Sequence, residues 1–148
     1  MWHDINWAAA GRLLVGSVFL FSGMAKLLDV PYTADTVHRH LAALPQRPLR
    51  PLRLAVYKTP MACLLIAVEI GLGYMVLKNY KPHFALPALM VMTLSFGCLT
   101  FYVASRGKLK TCGCVGRVLT LTPWQSFFKN VFLSAVLWAL TIQQFIYP

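Results

Sequence analysis

Residues 84–103, which read FALPALMVMTLSFGCLTFYV, decide the fold. This stretch contains no charged side chain, and a helix needs about 20 apolar residues to cross the roughly 30 Å of hydrocarbon in a bilayer. Three more apolar runs lie at residues 5–28, 61–77 and 124–147. The sequence therefore predicts an all-α fold in which one membrane domain, residues 1–148, forms a four-transmembrane-helix bundle.

The composition agrees with a chain that lies mostly in a membrane. Of its 148 residues, 58% are hydrophobic and 12% are charged, whereas soluble domains carry about 25% charged residues. A formal net charge of +10 would suit nucleic-acid binding in a soluble protein. Here the basic residues lie between the apolar runs, and nucleic-acid binding needs an exposed basic face on a soluble scaffold. We therefore expect these residues to contact membrane lipid instead of nucleic acid.

The connection between the first two runs predicts an interfacial helix. Residues 36–44 place Val37, Leu41 and Leu44 on one helical face, which suits a helix lying on the bilayer surface. Proline then recurs every third residue within 45–53, which prevents a helix and favours an extended segment. The arginines of this segment bind lipid phosphates in one interpretation and are simple interfacial anchors in the other.

An acidic residue lies near the middle of the second run. Glu69 is costly to place in hydrocarbon, so it should face the bundle interior and have a partner. Arg12 lies at a similar depth if the first two spans are antiparallel, so we predict an Arg12–Glu69 pair. The pair is either a structural ion pair or a site for protons, a lipid head group or a quinone. Asn130 in the fourth run predicts an interhelical hydrogen bond or a ligand contact.

The strongest chemical signal is Cys112-Gly113-Cys114, in the connection before the fourth run. Basic residues flank it on both sides, and nearby positive charge favours the reactive thiolate. A disulfide across one intervening residue closes a small ring, so it should be strained and exchangeable. Three interpretations stay open at this point: a redox pair, a soft-metal site for Cu(I) or zinc, or two loop thiols without a chemical role.

Two further cysteines lie within the spans. Cys63 is near the start of the second run and Cys98 is near the end of the third, so both fall in the half of the bilayer that carries the Cys-Gly-Cys connection. This placement permits an electron relay from an exposed cysteine pair to an inner one. The alternative is that both are buried packing residues, since a free cysteine packs as a small hydrophobe.

Together these residues resemble a known group of membrane proteins. Residues 12–29 and the intramembrane Glu69 resemble the DoxX-like membrane proteins. Residues 112–117, followed by Asn130 in the last run, are similar to the methylamine-utilisation MauE-like branch of that group. The branch usually has phenylalanine after the second cysteine, where this chain has Val115.

The resemblance implies a bundle similar in layout to vitamin K epoxide reductase, with a redox-associated role. It implies that Cys112 and Cys114 exchange disulfides with a thiol-containing partner protein, of a thioredoxin-like or cysteine-rich kind. It also implies polar family positions at Arg12, Lys26, Asp29 and Glu69. We expect no metal, and a quinone is the one cofactor that this chemistry suggests.

The sequence leaves open whether the chain is itself an enzyme. A thiol–disulfide oxidoreductase would form a mixed disulfide with its partner, which the other loop cysteine resolves. Its electrons would pass through Cys63 and Cys98 to a quinone. The rivals are a non-enzymatic membrane assembly factor and a bundle that binds a lipid, a quinone or another small molecule.

Two arguments about membrane topology disagree. The connection before the second run and the one before the fourth together carry nine Lys and Arg residues, whereas the connection between the second and third runs carries two. The positive-inside rule then places the Cys-Gly-Cys connection in the cytoplasm. Disulfide chemistry belongs on the oxidising side, and so does the site that the resemblance implies. We assign the connection to the extracytoplasmic side of a bacterial inner membrane.

Overall fold

Four long helices, one shorter helix and a two-stranded hairpin make up the described part of the chain. The computed structural model describes residues 7–43, 57–107, 112–115 and 119–146. The elements in chain order are α1 (Trp7–Leu27), α2 (Val30–Ala43), α3 (Lys58–Leu77), α4 (Pro82–Ser105), β1 (Cys112–Val115), β2 (Leu119–Leu121) and α5 (Pro123–Ile146). Helices α1, α3, α4 and α5 are long and apolar enough to cross a membrane. The predicted four-span fold is therefore confirmed.

The outer surface of the bundle is apolar. Large side chains such as Val91, Phe132 and Trp138 point outward and are exposed. A monomeric soluble protein rarely exposes contiguous apolar surface on this scale. Contact between these side chains and lipid tails carries no free-energy penalty, so the described surface fits a protein that lies in a bilayer.

Helices α1 and α3 are antiparallel and pack closely through small residues. A Cβ atom on Gly73 would lie 3.1 Å from the backbone nitrogen of Leu20 and 3.2 Å from the carbonyl oxygen of Gly16. A Cβ on Gly23 would lie 2.5 Å from Cγ1 of Ile70. Small residues at such crossings let two membrane helices approach, which replaces the hydrophobic driving force that lipid removes.

The hydrophobic core fills one end of the bundle. It consists of buried side chains from the first half of α1, the second half of α3, the first half of α4 and the second half of α5; they include Val15, Val76, Leu86, Leu89 and Leu137. This is the end at which a short turn joins α3 to α4. The other end carries α2 and the hairpin, and its interior is hollow.

Helix α2 starts earlier than the sequence analysis predicted. Its N-cap is Asp29, whose Oδ1 accepts a hydrogen bond from the Tyr32 N–H at 3.1 Å. An N-cap aspartate followed by proline in the first turn is a standard start signal, and it lies in the sequence at residues 29–31. The predicted start at residue 36 was therefore wrong, although the short helix between the first two spans is confirmed.

The inward face of α2 overlaps the predicted one. It runs through Thr33, Val37 and His40, and the predicted residues Val37, Leu41 and Leu44 belong to the same stripe at helical spacing. The side chain of Leu41 and the whole of residues 44–56, including the proline-rich segment, lie outside the described residues.

The Cys-Gly-Cys sequence lies in a hairpin strand, although the sequence analysis treated it as a loop. Strand β1 pairs with β2 in antiparallel fashion, with Cys112 opposite Leu121 and Val115 opposite Leu119. The pairing advances by three residues on β1 and two on β2, so a bulge lies within the strand that contains both cysteines. A capping box then starts α5: the Thr122 N–H donates to Gln125 Oε1 at 2.9 Å, and the Gln125 N–H donates to Thr122 Oγ1 at 3.3 Å.

Candidate functional site

The hollow end of the bundle contains a cavity of about 400 Å³. Helix α2 covers it, and the adjoining halves of α1, α3, α4 and α5 form its walls. Most of its lining is apolar. The polar side chains that line it are Ser22, Lys26, Thr33, Thr36, His40, Glu69, Thr93, Thr100, Lys129 and Asn130.

Glu69 lies in this cavity and forms an ion pair with Lys26. The two residues are 2% and 4% exposed, respectively. Ser22, one turn before Lys26, joins them: the Lys26 ammonium donates to Ser22 Oγ at 3.1 Å, and Ser22 Oγ donates to Glu69 Oε2 at 3.3 Å. A buried carboxylate needs such partners, because an unpaired charge in hydrocarbon is costly.

The predicted Arg12–Glu69 pair was wrong. The Arg12 guanidinium instead donates to Asn79 Oδ1 at 2.9 Å, in the turn after α3. Asn79 lies ten residues beyond Glu69, which is about 15 Å along a helix at 1.5 Å per residue. The estimate of equal depth failed because α1 begins beyond the end of α3, so Gly16 faces Gly73 and Leu77. The residues opposite Glu69 are therefore Ser22 and Lys26.

Helix α5 adds polar groups that have no protein partner among the described residues. Asn130 lines the cavity and is 5% exposed, yet no hydrogen bond joins its amide to another described residue. Ser126, one turn earlier on the same face, is fully buried and its Oγ lacks a described partner. Lys129 also lines the cavity, within electrostatic range of Lys26 and Glu69. The expected interhelical bond of Asn130 is thus not found in the described part of the chain.

His40 belongs to the site, although the sequence analysis missed it. It lies on the inward face of α2, and its Nδ1 is 2.8 Å from the Thr36 carbonyl oxygen. Burial lowers the pKa of the His40 imidazole, because the charged form loses its hydration. The clue in the sequence was the position of His40, three residues after Val37 and therefore on the predicted apolar face of the helix.

The two pairs of cysteines lie in different surroundings. Cys112 and Cys114 lie in β1, whose backbone runs beside α1 and α2 at the hollow end of the bundle. Cys63 on α3 and Cys98 on α4 are free and exposed on the outer surface, and neither lines the cavity. The alternative that these two are buried packing residues was therefore wrong. The relay role remains a prediction.

The remaining predicted polar position, Asp29, has a local structural role. Its carboxylate caps α2, and the residue is not part of the cavity lining. Of the predicted polar residues, the cavity therefore brings together Lys26, Glu69 and Asn130, and it leaves out Arg12 and Asp29.

Comparison with known proteins gives the family. The sequence profile of the family described as methylamine utilisation protein MauE matches residues 6–142. The chain belongs to the MauE family. The four apolar helices of this MauE family member and its family membership together indicate an integral membrane protein.

A curated relative and the solved structures add the remaining comparisons. This MauE family member is 28% identical over 124 residues to protein TlpB of Flavobacterium psychrophilum, an alignment that covers 81% of the chain and 32% of that protein. The chain thus spans about a third of the length of this relative. No solved structure matches it.

Proposed function

We propose that this protein is a membrane thiol–disulfide redox protein, or an accessory factor of such a pathway, that promotes disulfide formation or exchange in a partner protein. One observation carries the proposal: Cys112 and Cys114 lie in a hairpin strand with a bulge, at the end of the bundle that holds the polar cavity. Bulges are common beside active sites, where they alter the local path of a strand. The proposed partner is a thioredoxin-like or cysteine-rich protein.

The exchange follows from ordinary thiol chemistry. A partner thiolate attacks one sulfur of the Cys112–Cys114 disulfide, so a mixed disulfide forms and the other loop cysteine leaves as a thiolate. A second partner thiolate then attacks the partner sulfur of the mixed disulfide. The partner leaves with one new disulfide, and Cys112 and Cys114 keep the two electrons as thiols. In the opposite direction, the reduced pair reduces a partner disulfide by the same steps.

Continued oxidation of partners needs an electron acceptor. We propose a quinone dissolved in the bilayer, which takes two electrons and two protons and becomes a quinol while the Cys112–Cys114 disulfide re-forms. Cys63 and Cys98 are proposed as intermediates: their disulfide would re-oxidise the Cys112–Cys114 pair by thiol–disulfide exchange, and the quinone would then take two electrons and two protons from the Cys63 and Cys98 thiols. Both residues are exposed on the outer surface of their helices, where an apolar quinone has access. A Cys63→Ser, Cys98→Ser variant should then complete one exchange but not repeated turnover with quinone.

The wider DoxX-like relationship and the location are also proposals. The described basic residues Arg39, Lys58 and Arg106 lie at the hairpin end of the bundle, so the positive-inside rule continues to favour a cytoplasmic hairpin. Disulfide formation favours the opposite side of a bacterial inner membrane, and we propose that side. After intact cells are treated with a membrane-impermeant reductant, a membrane-impermeant maleimide should therefore label Cys112 and Cys114. Labelling only after lysis would place the hairpin in the cytoplasm.

A stoichiometric assay tests the exchange. The full chain is reconstituted in nanodiscs, oxidised and mixed with reduced thioredoxin as a model dithiol, and the free thiols are counted over time. The oxidised protein should convert about one equivalent of thioredoxin to its disulfide for each disulfide that it holds. The Cys112→Ser and Cys114→Ser variants should convert none, whereas Cys63→Ser, Cys98→Ser should convert one. Full biological function in a Cys112→Ala, Cys114→Ala variant would instead identify a non-enzymatic assembly factor.

A further inference from the structure

The cavity holds more positive charge than its own residues balance. Lys26 is paired with Glu69, while Lys129 lines the same cavity and forms no ion pair or hydrogen bond with a described residue. Glu69 is the only acidic residue in the lining, which contains two lysines. A charge inside a membrane protein normally has a counter-charge. The described site therefore has one more positive than negative charge, and the unbalanced positive charge is that of Lys129.

Asn130, the next residue on α5, adds a neutral hydrogen-bond donor to the lining. The residue is 5% exposed, and it lines the cavity with no hydrogen bond from its amide to a described residue. An amide that faces an apolar cavity without a hydrogen bond costs free energy. An acceptor group in the cavity next to Lys129 and Asn130 would satisfy the ammonium and the amide N–H groups together.

The rest of the cavity suits an apolar chain that enters from the lipid. Leu64 and Val68 of α3 line the cavity and are 66% and 38% exposed, respectively. Side chains that belong both to the cavity wall and to the outer surface mark an opening toward the hydrocarbon of the bilayer. Phe96 and Leu99 of α4 continue the lining across from them. The volume of about 400 Å³ is also within the usual range for ligand pockets, about 300–1,000 Å³.

We propose that the cavity binds an acidic amphiphile, a molecule with one anionic head group on an acyl chain. The head group lies between the Lys129 ammonium and the Asn130 amide, and the chain extends past the apolar lining toward the opening at Leu64 and Val68. A fatty-acid carboxylate and a lipid phosphate share this chemistry. The proposal goes beyond the exchange function, because it uses none of the cysteines.

Binding to the reconstituted full chain tests the proposal. Protein in nanodiscs of zwitterionic phosphatidylcholine receives palmitate, palmitate methyl ester or lysophosphatidate with the same chain, and binding is followed by the shift in melting temperature and by native mass spectrometry. Palmitate, lysophosphatidate or both should bind and raise the melting temperature, and the ester should not. Comparing the two acids shows whether a carboxylate or a phosphate is preferred.

Matched variants assign the head-group site. Lys129→Met should weaken binding of the acid at least tenfold, and Asn130→Leu should weaken it less. Lys78→Met removes a lysine at the opposite end of the bundle and should bind as the parent does. The melting temperature of each ligand-free variant checks that it is folded. Cys112→Ala, Cys114→Ala should retain binding, so failure of the exchange proposal and failure of this one are separate results.

Three results would overturn the proposal. Equal binding of acid and ester would mean that the cavity recognises only apolar chains. Undiminished binding to Lys129→Met, with the protein folded, would remove the assigned head-group site. Stabilisation by an uncharged quinone, with no effect of either acid, would assign the cavity to a different ligand class.

Discussion

The Lys26 ammonium and the Glu69 carboxylate form an ion pair inside the bundle, which joins the last turn of α1 to the interior of α3. Ser22 hydrogen-bonds to both. The pair therefore sets the register of the α1–α3 hairpin at the hollow end, as Gly16 and Gly73 set it at the packed end. Between them these contacts position the wall on which the cavity depends.

Loss of the carboxylate should be more damaging than loss of its lysine. Glu69→Gln leaves Lys26 and Lys129 unbalanced, and breaking a buried pair in this way costs about 3–5 kcal/mol. In Lys26→Met, Glu69 still has Lys129 within electrostatic range, so we expect a smaller loss. The free energy of unfolding of each variant is measured in detergent or nanodiscs, with circular dichroism as the signal.

The exposed pair on the surface supplies the control. Lys58 Nζ lies 3.0 Å from Asp35 Oδ1, with both side chains substantially accessible, and such pairs add little stability. Asp35→Asn should therefore have the same free energy of unfolding as the parent protein. Equal loss of stability in Glu69→Gln and Asp35→Asn would mean that the interior pair has no special role.

The approach of α1 and α3 depends on Gly73 but not on Gly71 of the same helix. Gly73→Leu would drive a side chain into the backbone of α1 near Leu20 and Gly16, and overpacking of this kind costs about 1–3 kcal/mol. Gly71 is exposed on the same helix and has no atom within 4 Å of an added Cβ. Gly71→Leu should therefore be neutral in the same unfolding assay. A loss of stability in Gly71→Leu equal to that in Gly73→Leu would contradict close packing at Gly73.

Acid should loosen α2 through His40. Burial lowers the folded-state pKa of His40, whereas an unfolded histidine has a pKa of about 6.5. The unfolded or undocked state then binds the proton more strongly, so this stabilisation is complete above about pH 6.5 and is lost as the pH falls below it. The hydrogen-exchange protection factors of α2, which correct for the intrinsic pH dependence of exchange, should fall between neutral pH and about pH 5.

One variant on α2 separates His40 from the other charged groups. Lys26, Glu69 and Lys129 line the same cavity and are unchanged in this variant. His40→Gln should flatten the pH dependence of the α2 protection factors. Persistence of the full pH dependence in His40→Gln would assign it to one of the cavity charges.

The spans were predictable because their signal is strong. An uninterrupted apolar run such as residues 84–103 has few stable structures open to it other than a membrane-spanning helix. The need of Glu69 for a partner was predictable for the same physical reason. Its partner was not, because the choice between Arg12 and Lys26 depends on how far α1 extends past α3, and the ends of apolar runs do not fix that offset.

The cavity was harder to predict than its individual residues. Asn130 and Lys26 stand out in the sequence as polar groups in apolar runs, but a hollow interior arises from how five helices meet. His40 went unnoticed because only the apolar residues Val37, Leu41 and Leu44 were assigned to the inward face of α2. The hairpin at Cys112–Val115 is short, and its pairing depends on the opposite strand rather than on local preference.

A redox titration of the cysteines in the full reconstituted chain tests the central claim most directly. The protein is equilibrated with mixtures of reduced and oxidised dithiothreitol or glutathione, alkylated, digested and analysed by mass spectrometry. We predict that Cys112 and Cys114 form one reversible disulfide with a midpoint more positive than that of thioredoxin, about −270 mV. Failure of Cys112 and Cys114 to form a disulfide at any potential would contradict the account.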